Sequence, residues 1–387
     1  MGKKEGRCMI VSDVNEIEIE DARYAAQFFI DYFGSVNGDI STYMRRNKLA
    51  LMPKDNSLPG MGPEDELFCD FTMSPEDMEF VIEEVEMSKF AYYLNIVSSH
   101  NNEMSVPGKI LLLMVREKTT GQIVGFIRIG SPTINSKPRN QWLGQPLDSK
   151  NLEMMKRFNE SMIMGFVIVP TQPFGFNYLG GKLLSAIACS HFVRDKMDEK
   201  YGINVCGFET TSLYGSTKSS SQYDGMKPFL RYTGLTESNF MPAIVGEEFQ
   251  YIHNWFREKI GGLLCLESET SKKMKQQGRM VRIMNNSLGD DPIKQELKEV
   301  IDGAIQMQEQ KRSYVGTYGF SNVPEYLTLK TDTLNKAENY ERFELNSVID
   351  WWRKKATKRY ESLKSEGRLR TKLETWNINP EDIDIIR

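Results

Sequence analysis

The sequence is poor in the residues that build metal centres and disulfide frameworks. Its 387 residues include only five cysteines and three histidines. The cysteines are odd in number, far apart and without a Cys-x-x-Cys pair, which argues against a disulfide framework and against a zinc knuckle. The histidines show neither a His-x-His nor a His-Glu-x-x-His spacing, so we predict no metal site. A reducing cytosol is the expected location.

Long apolar runs are also missing. The runs at residues 110–115 and 162–170 are far too short to span a bilayer, and no apolar signal core follows the basic first residues. We therefore expect neither a membrane partner nor secretion. The formal net charge of −4 repels nucleic acid on average, although basic residues are concentrated in places.

The order of apolar runs in the middle of the chain predicts the fold. The predicted elements are strands at 110–115, 123–129, 162–169 and 203–211, with a helix at about 182–200 before the last strand. The first two strands are separated by a Lys-Thr-Thr-Gly turn, which indicates an antiparallel hairpin. Pro170 stops the third strand, and Gly202 is the expected C-cap of the helix. Strand, loop, helix and strand together predict a right-handed βαβ unit.

This order is that of the GNAT-like acyltransferases. We therefore predict an α/β (α+β) protein with a GNAT-like mixed sheet, a central βαβ unit and a mainly helical C-terminal extension. The expected domains are an N-terminal helix with a loop-rich extension (1–69), a catalytic core (70–245) and a mostly helical region with a basic segment (246–387). Further helices are expected at about 21–33, 74–97, 247–260, 292–310 and 347–364.

The loop before the central helix is the candidate cofactor site. Backbone N–H groups at a helix N-terminus bind a pyrophosphate well, so an acyl-CoA-type donor fits this position. The candidate residues are Gln172, Gly175, Asn177, Tyr178, Gly180 and Gly181. The loop departs from the acetyl-CoA signature at Asn177, where glycine or alanine is expected, and the cofactor therefore stays unknown. The alternative is that the glycines only let the helix pack closely on the sheet.

Hydroxyls and carboxylates crowd the exit of the last predicted strand. Such a cluster can hold an acceptor amine, take its proton through a carboxylate and return one through a tyrosine. The candidate catalytic residues are Glu209, Ser212, Tyr214, Tyr223 and Asp224. A network of Ser/Thr turns is the alternative explanation.

Several short motifs carry a resemblance to two related families. They are Arg139-Asn-Gln-Trp142-Leu-Gly144, Asn151-Leu152, Phe166-Val-Ile-Val-Pro170, Tyr178-Leu-Gly-Gly-Lys-Leu-Leu and Glu209-Thr-Thr. Over roughly residues 110–240 the chain resembles the Mom-type phage adenine-modification proteins and the DruA proteins of the Druantia antiphage defence system. The Mom-type resemblance implies transfer of a small carbamoyl-like group to the exocyclic amine of adenine in double-stranded DNA, in the cytoplasm of a bacterial host cell.

Two basic segments are candidates for contact with the DNA backbone. The first contributes Lys137, Arg139 and Trp142, and the second contributes Arg353, Lys354, Lys355, Lys358 and Arg359. A solvated helix face is the alternative for either segment. Reaching a base amine would also require flipping the base into a pocket. The tyrosines of the loop and of the strand exit, together with Phe176, are its candidate lining.

Three functions follow from these patterns. The first is a phage-related DNA base-modifying transferase that moves an acyl or carbamoyl-type group to a nucleobase amine. The second is a non-catalytic DNA-binding protein of defence or counter-defence on the same fold. The third is a GNAT-like acyltransferase that acts on a protein or a small molecule. The sequence leaves the oligomeric state open.

Overall fold

The computed structural model describes most of the chain in two compact units. The described residues are 11–36, 38–51, 66–99, 108–212, 221–236, 243–266, 268–269, 272–306, 312–376 and 383. A helical unit comprises Met1–Met52 and Ser238–Glu309, and a sheet unit comprises Pro53–Glu237 and Gln310–Arg387. The region after residue 245, treated as one helical extension in the sequence analysis, is thus divided between both units.

The elements have the following bounds. The helices are α1 (Ile19–Gly34), α2 (Ile40–Leu51), α3 (Met87–Val97), α4 (Lys137–Leu143), α5 (Leu152–Ser161), α6 (Phe174–Tyr178), α7 (Gly180–Ala188), α8 (His191–Tyr201), α9 (Gly246–Ile260), α10 (Lys272–Leu288), α11 (Ile293–Gln306), α12 (Val323–Leu327) and α13 (Leu345–Ser365), with a 3-10 turn at Tyr340–Phe343. The strands are β1 (Phe80–Glu84), β2 (Ile110–Glu117), β3 (Ile123–Gly130), β4 (Met162–Pro170), β5 (Gly207–Ser212), β6 (Arg231–Leu235) and β7 (Arg312–Gly316).

The helical unit is built from α1, α2, α9, α10 and α11. Helix α1 packs against α10 and α11, because its apolar residues fall at helical spacing and form one stripe. That stripe contains Ala22, Ala25, Ala26, Phe29, Ile30 and Phe33, all buried. The helices predicted at 21–33, 247–260 and 292–310 are confirmed as α1, α9 and α11, except that residues 307–310 lie outside the described part of the chain.

The sheet unit contains one seven-stranded mixed sheet of order β1-β2-β3-β4-β5-β7-β6. The pair β4–β5 is parallel and the other pairs are antiparallel. The predicted hairpin, β2–β3, and the predicted βαβ unit, in which β4 and β5 flank α7 and α8, are therefore confirmed. Gly202 caps α8 in the left-handed region, with φ of 61°, as expected for a C-cap glycine.

Three predicted elements were wrong in part. Residues 80–84 of the predicted helix 74–97 form strand β1, which pairs with β2, because Phe80 and Ile82 alternate toward the core. The predicted helix 182–200 is two helices, broken where Ser190 is extended, with ψ of 157°. Part of the loop-rich extension predicted within residues 1–69 is helix α2, and residues 52–65 lie outside the described residues.

Helices cover both faces of the sheet, and this decides which site residues meet. Helices α7, α8 and α13 pack on one face, through residues such as Leu184, Val193 and Trp352. Helix α3 covers the opposite face over β2 and β3, and α4, α5 and α12 cover it near β4 and β5. We call these the α13 face and the α4 face. Within the described residues, no helix has the length and apolarity that crossing a membrane requires.

Candidate functional site

Strand β5 separates the predicted catalytic residues onto the two faces of the sheet. Successive side chains of a strand point to opposite faces. Thr210 points to the α13 face, where its hydroxyl lies 3.5 Å from the Tyr223 hydroxyl and donates to the Gly165 carbonyl at 2.9 Å. Glu209 points to the α4 face and pairs with Arg139. The structure therefore does not bring Glu209 together with Tyr223 and Asp224.

The Glu209–Arg139 ion pair is buried. Arg139 Nη1 donates to Glu209 Oε1 at 2.9 Å and to the Thr133 carbonyl at 2.7 Å, and its guanidinium lies over the Phe158 ring. Burial raises the pKa of Glu209, and the charge of Arg139 opposes that shift. Oxygen Oε2 of Glu209 has no hydrogen-bond partner among the described residues. Because the Arg139 side chain is 0% exposed, it is not placed to contact a DNA phosphate, contrary to the sequence-based expectation.

The parallel strands β4 and β5 diverge at the predicted donor site. They pair only from Met162 to Gly165 on β4, although β4 continues to Pro170. Gln222 reaches the diverging part of β4, where its Nε2 donates to the Ile168 carbonyl at 3.2 Å. A Cβ added to Gly181 would lie 2.3 Å from Gln222 Oε1. The chain's own Gln222 thus lies against the helix N-terminus at which a donor was expected.

Lys182 in the first turn of α7 holds the segment that carries Gln222. Its ammonium donates to the carbonyl of Gln222 at 3.3 Å and to the carbonyl of Asp224. Burial lowers the pKa of Lys182, the positive charge of Lys355 lowers it further, and Asp224 opposes both effects. Segment 221–224 is therefore fixed to the N-terminal turn of α7 by a charged donor.

The glycines of the predicted cofactor loop are closely packed. A Cβ on Gly175 would lie 2.4 Å from the Gln172 side chain, and one on Gly180 would lie 2.7 Å from the Phe174 ring. Real Cβ atoms do not approach other atoms so closely, because the van der Waals overlap is too large. These contacts favour the alternative explanation of the glycines, namely close packing of the loop and helix.

The polar residues of the same loop bind the chain's own C-terminal segment. Asn177 is buried; its Nδ2 donates to the Arg370 carbonyl at 2.7 Å and its Oδ1 accepts from the Arg370 N–H at 3.1 Å. The Gln172 carbonyl accepts from the Glu374 N–H at 3.1 Å. Tyr178 is also buried, stacks on Tyr360 and donates to the Met73 carbonyl. In this conformation these residues serve packing and the anchoring of residues 370–374.

A hydrogen-bonded cluster around the Asp224 carboxylate lies on the α13 face, beside the point where β4 and β5 diverge. Asp224 Oδ1 accepts from the Tyr314 hydroxyl at 2.8 Å and from Arg312 Nη2 at 3.2 Å. The ring centroids of Tyr223 and Tyr314 lie 5.2 Å apart. Burial raises the pKa of Tyr314 to about 12 and also raises the pKa of Tyr223. Both phenols therefore keep their protons at neutral pH, and Tyr314 donates its proton to Asp224.

Arg312 and Tyr314 belong to this cluster but were not among the candidate catalytic residues. Both residues lie on β7, which pairs with β5 so that Tyr314 stands opposite Thr210. Ser212 stands opposite Arg312 in the same register, and Tyr214 lies outside the described residues. No local pattern near residue 224 indicates a partner from a strand that begins at residue 312, so this part of the site was not predictable from spacing.

The second basic segment forms an exposed cationic side of α13. A buried stripe of Val348, Trp352, Ala356, Tyr360 and Leu363 attaches the helix to the sheet unit. Lys354, Lys355 and Lys358 are exposed on the remaining surface. Arg353 differs from them, since it is partly buried, pairs with Asp350 and donates to the Met78 carbonyl at 3.0 Å.

Arg359 extends this cationic side toward the α6 loop. Its guanidinium lies 4.8 Å from the Phe176 ring centroid, and that of Arg370 lies 4.0 Å from the same centroid. Burial lowers the pKa of Arg359, and the charges of Arg368 and Arg370 lower it further. The fold thus brings like charges together, although each repels the others.

The first basic segment lies on the opposite face of the sheet. Lys137 is exposed and Trp142 half-buried on α4, whose Leu143 packs with Phe158 on the α4 face. The two predicted DNA-binding segments therefore do not form one continuous surface. Within the described ranges, no group of three or more His, Cys, Asp or Glu side chains is arranged to hold a metal ion.

The fold and the site define a mixed α/β protein with one seven-stranded mixed sheet and a cationic helix on one of its faces. Residues 71–217 of this protein match the family model described as Druantia protein DruA. The match begins just before β1 and extends beyond β5, so it contains the parallel strand pair and the α6–α7 loop. The searches of curated proteins and of solved structures found no match.

Proposed function

We propose that this protein is a DNA-binding component of a Druantia-type anti-phage defence system. The DruA match over residues 71–217 supports the defence role. The observation that carries DNA binding is the exposed side of α13. Lys354, Lys355 and Lys358 lie on this side, and the opposite side of the helix is packed on the sheet unit. A rigid helix presents these charges without the entropy loss that a mobile tail would incur.

Phosphate contact is the chemistry that suits this surface. Each lysine or arginine that neutralises a phosphate releases condensed counterions, which favours binding at low salt. The molecule as a whole carries a net charge of −4, so the attraction is local to α13. That imbalance orients the protein on a polyanion, because the rest of its surface is repelled.

The test is DNA affinity, measured by fluorescence anisotropy with the full-length protein and short labelled DNA at fixed low salt. The double variant Lys354→Gln/Lys358→Gln is expected to bind about tenfold more weakly or worse, since it removes two phosphate contacts. The matched control is Lys118→Gln/Lys298→Gln, which changes the net charge equally at lysines that are 62% and 66% exposed. Equal losses in both double variants, or no binding by the parent protein, would contradict the proposal.

A second candidate function is base modification, in which an acyl or carbamoyl-type group moves to a nucleobase amine. The observation that favours it is the grouping of Asp224, Tyr223 and Tyr314 where β4 and β5 diverge. In such a reaction the amine attacks the donor carbonyl, Asp224 accepts the proton that the amine loses, and the donor's leaving group departs. Segment 221–224 would have to move first, because Gln222 lies against the α7 N-terminus.

Nucleoside masses test this second candidate. DNA from bacteria that express the protein is digested to nucleosides and compared with DNA from cells that express Asp224→Asn or the exposed control Asp332→Asn. Transfer predicts a new nucleoside mass that Asp224→Asn abolishes and Asp332→Asn retains. If a new mass persists with Asp224→Asn, Asp224 is not the proton acceptor. If no new mass appears, DNA binding without transfer is favoured.

A further inference from the structure

On the α13 face, three partly exposed aromatic rings each lie close to a positively charged side chain. Arg359 and Arg370 lie 4.8 Å and 4.0 Å from the Phe176 centroid. Lys355 Nζ lies 5.2 Å from the Trp351 centroid, and the Arg312 guanidinium lies 4.7 Å from the Tyr232 centroid. Tyr232 is the most open of the three rings, with 49% of its surface exposed.

Helical spacing on α13 and the electrostatic interaction of Lys355 with Lys182 connect these three ring–cation groups. On α13, Lys355 is one helical turn from both Trp351 and Arg359. Lys355 is close enough to Lys182 for its charge to lower the pKa of that lysine.

The path continues from α7 to the edge of the sheet. Lys182 bonds to the Asp224 carbonyl, and the Asp224 carboxylate accepts from Arg312. Arg312 in turn covers Tyr232, whose strand position opposite Tyr314 places it on the same face. Pairs of cations thus separate the three rings from the α6 loop across α13 and α7 to β6.

Rings separated by cations fit a polynucleotide whose bases are unpaired. In a duplex the base faces are stacked inward, so the cations meet phosphates but the rings find no partners. In a single strand the bases can stack on aromatic rings or on guanidinium planes, while the phosphates between them meet the cations. The acidic side chains beside the path are paired with cations of the chain: Asp224 with Arg312, Glu374 with Arg370 and Glu366 with Arg368.

We propose that this aromatic-cationic track, defined by Phe176, Arg359, Lys355, Trp351, Lys182, Arg312 and Tyr232, binds single-stranded DNA. The proposal rests on the DNA binding proposed above and specifies the strand state that is bound. The exposed lysines Lys354 and Lys358 lie outside the track and contact phosphates of either form. The rings of the track add affinity for single strands only, because they are the part of the surface that uses base faces.

The test compares the affinity of the full-length protein for a labelled oligo-dT strand and for a duplex of the same length at one salt concentration. We expect tighter binding of the single strand. Tyr232→Ala is expected to weaken single-strand binding roughly 5- to 150-fold, the usual range for loss of one stacking ring, and to leave duplex binding unchanged. Tyr232→Phe keeps the ring and is expected to bind as the parent does.

Tyr251→Ala is the matched control, because Tyr251 is 50% exposed but belongs to the helical unit. Its affinity for both forms of DNA is expected to equal that of the parent. Duplex binding without a preference for the single strand, or an equal loss for both forms in Tyr232→Ala, overturns the track while DNA binding stands. Absence of binding to either form overturns the DNA-binding proposal itself.

Discussion

Arg139 and Glu209 are each other's partners, and this changes the role of both residues. Their side chains are 0% and 6% exposed and lie 2.9 Å apart. A buried ion pair recovers the cost of removing two charges from water only while both charges are present. Glu209 is thus better explained by the stability of the sheet unit than by proton transfer to a substrate.

Removing one partner of this pair is expected to cost more than removing both. Arg139→Met leaves the Glu209 carboxylate buried and uncompensated, and it should lower the free energy of unfolding by about 3–5 kcal/mol. The double variant Arg139→Met/Glu209→Met should lose less than Arg139→Met alone, and so less than the sum of the two single losses. Denaturant titration measures the free energy of unfolding of the two single variants and the double variant. The control is Lys118→Met, which breaks an exposed pair and should lose less than about 1 kcal/mol. Additive losses would contradict the coupling.

We expect Asp198 to make stability depend on pH in mildly acidic solution. Its Oδ1 accepts from the Val205 N–H at 2.7 Å. Burial raises the pKa of Asp198 from its ordinary value of 3.8 to about 6, although this hydrogen bond and Arg194 act in the opposite direction. The native carboxyl therefore holds its proton more tightly than the unfolded one. This tighter proton binding stabilises the native state fully below pH 3.8, and the stabilisation is lost as pH rises to about 6.

Asp198→Asn should remove this pH dependence, because the amide oxygen still accepts from Val205 but carries no charge. The free energy of unfolding of the variant minus that of the parent is expected to be larger above about pH 6 than below pH 3.8. Denaturation midpoints across this range give the difference. A difference that stays constant, or that falls as pH rises, would show that the burial of Asp198 does not control its proton.

Helix α6 anchors the C-terminal segment at residues 370–374. The side chain of Asn177 pairs with the backbone of Arg370 at both its oxygen and its nitrogen, in the manner of one rung of a sheet. A comparable rung occurs at Asn322, which donates to the Thr333 carbonyl and accepts from the Asn335 N–H, each at 2.8 Å. Each amide fixes one nearby segment.

Asn177→Ala is expected to loosen residues 370–374 alone. It leaves two backbone groups of Arg370 unsatisfied, at a cost of about 1–3 kcal/mol. Trypsin should therefore cleave after Arg370 or Lys372 faster than in the parent. Asn322→Ala should leave cleavage at these sites unchanged, since its partners lie at 333 and 335. If both variants, or neither, accelerate the cut at 370–372, the anchoring role of Asn177 is wrong.

Elements with strong local patterns were predictable, and those that depend on neighbours were not. β2, β3 and β4 are apolar runs bounded by turn residues, so their patterns identify them. β1 lies at an edge of the sheet, and its residues at 80–84 also fit helical spacing. β7 is five residues long and owes its place to pairing with β5 and β6. A strand of this kind is defined by hydrogen-bond partners that no local pattern reveals.

At the scale of the whole molecule, connectivity limits what spacing can reveal about the site. β6 and β7 are paired, yet residues 238–309 between them belong to the helical unit. Arg312 and Tyr314 thus reach Asp224 from far along the chain. The basic side of α13 was predictable, because its charges and apolar stripe repeat within one helix. The burial of Arg139, which removes it from the predicted DNA contacts, was not predictable, since only the fold reveals it.

The salt dependence of DNA binding tests the central claim most directly. On duplex DNA, each contacted phosphate contributes about −0.9 to the slope of the logarithm of the association constant against the logarithm of salt concentration. If Lys354 and Lys358 each contact a phosphate, Lys354→Gln/Lys358→Gln should make the slope shallower by roughly 2, and Lys118→Gln/Lys298→Gln should leave it unchanged. An unchanged slope in the α13 double variant would contradict the account.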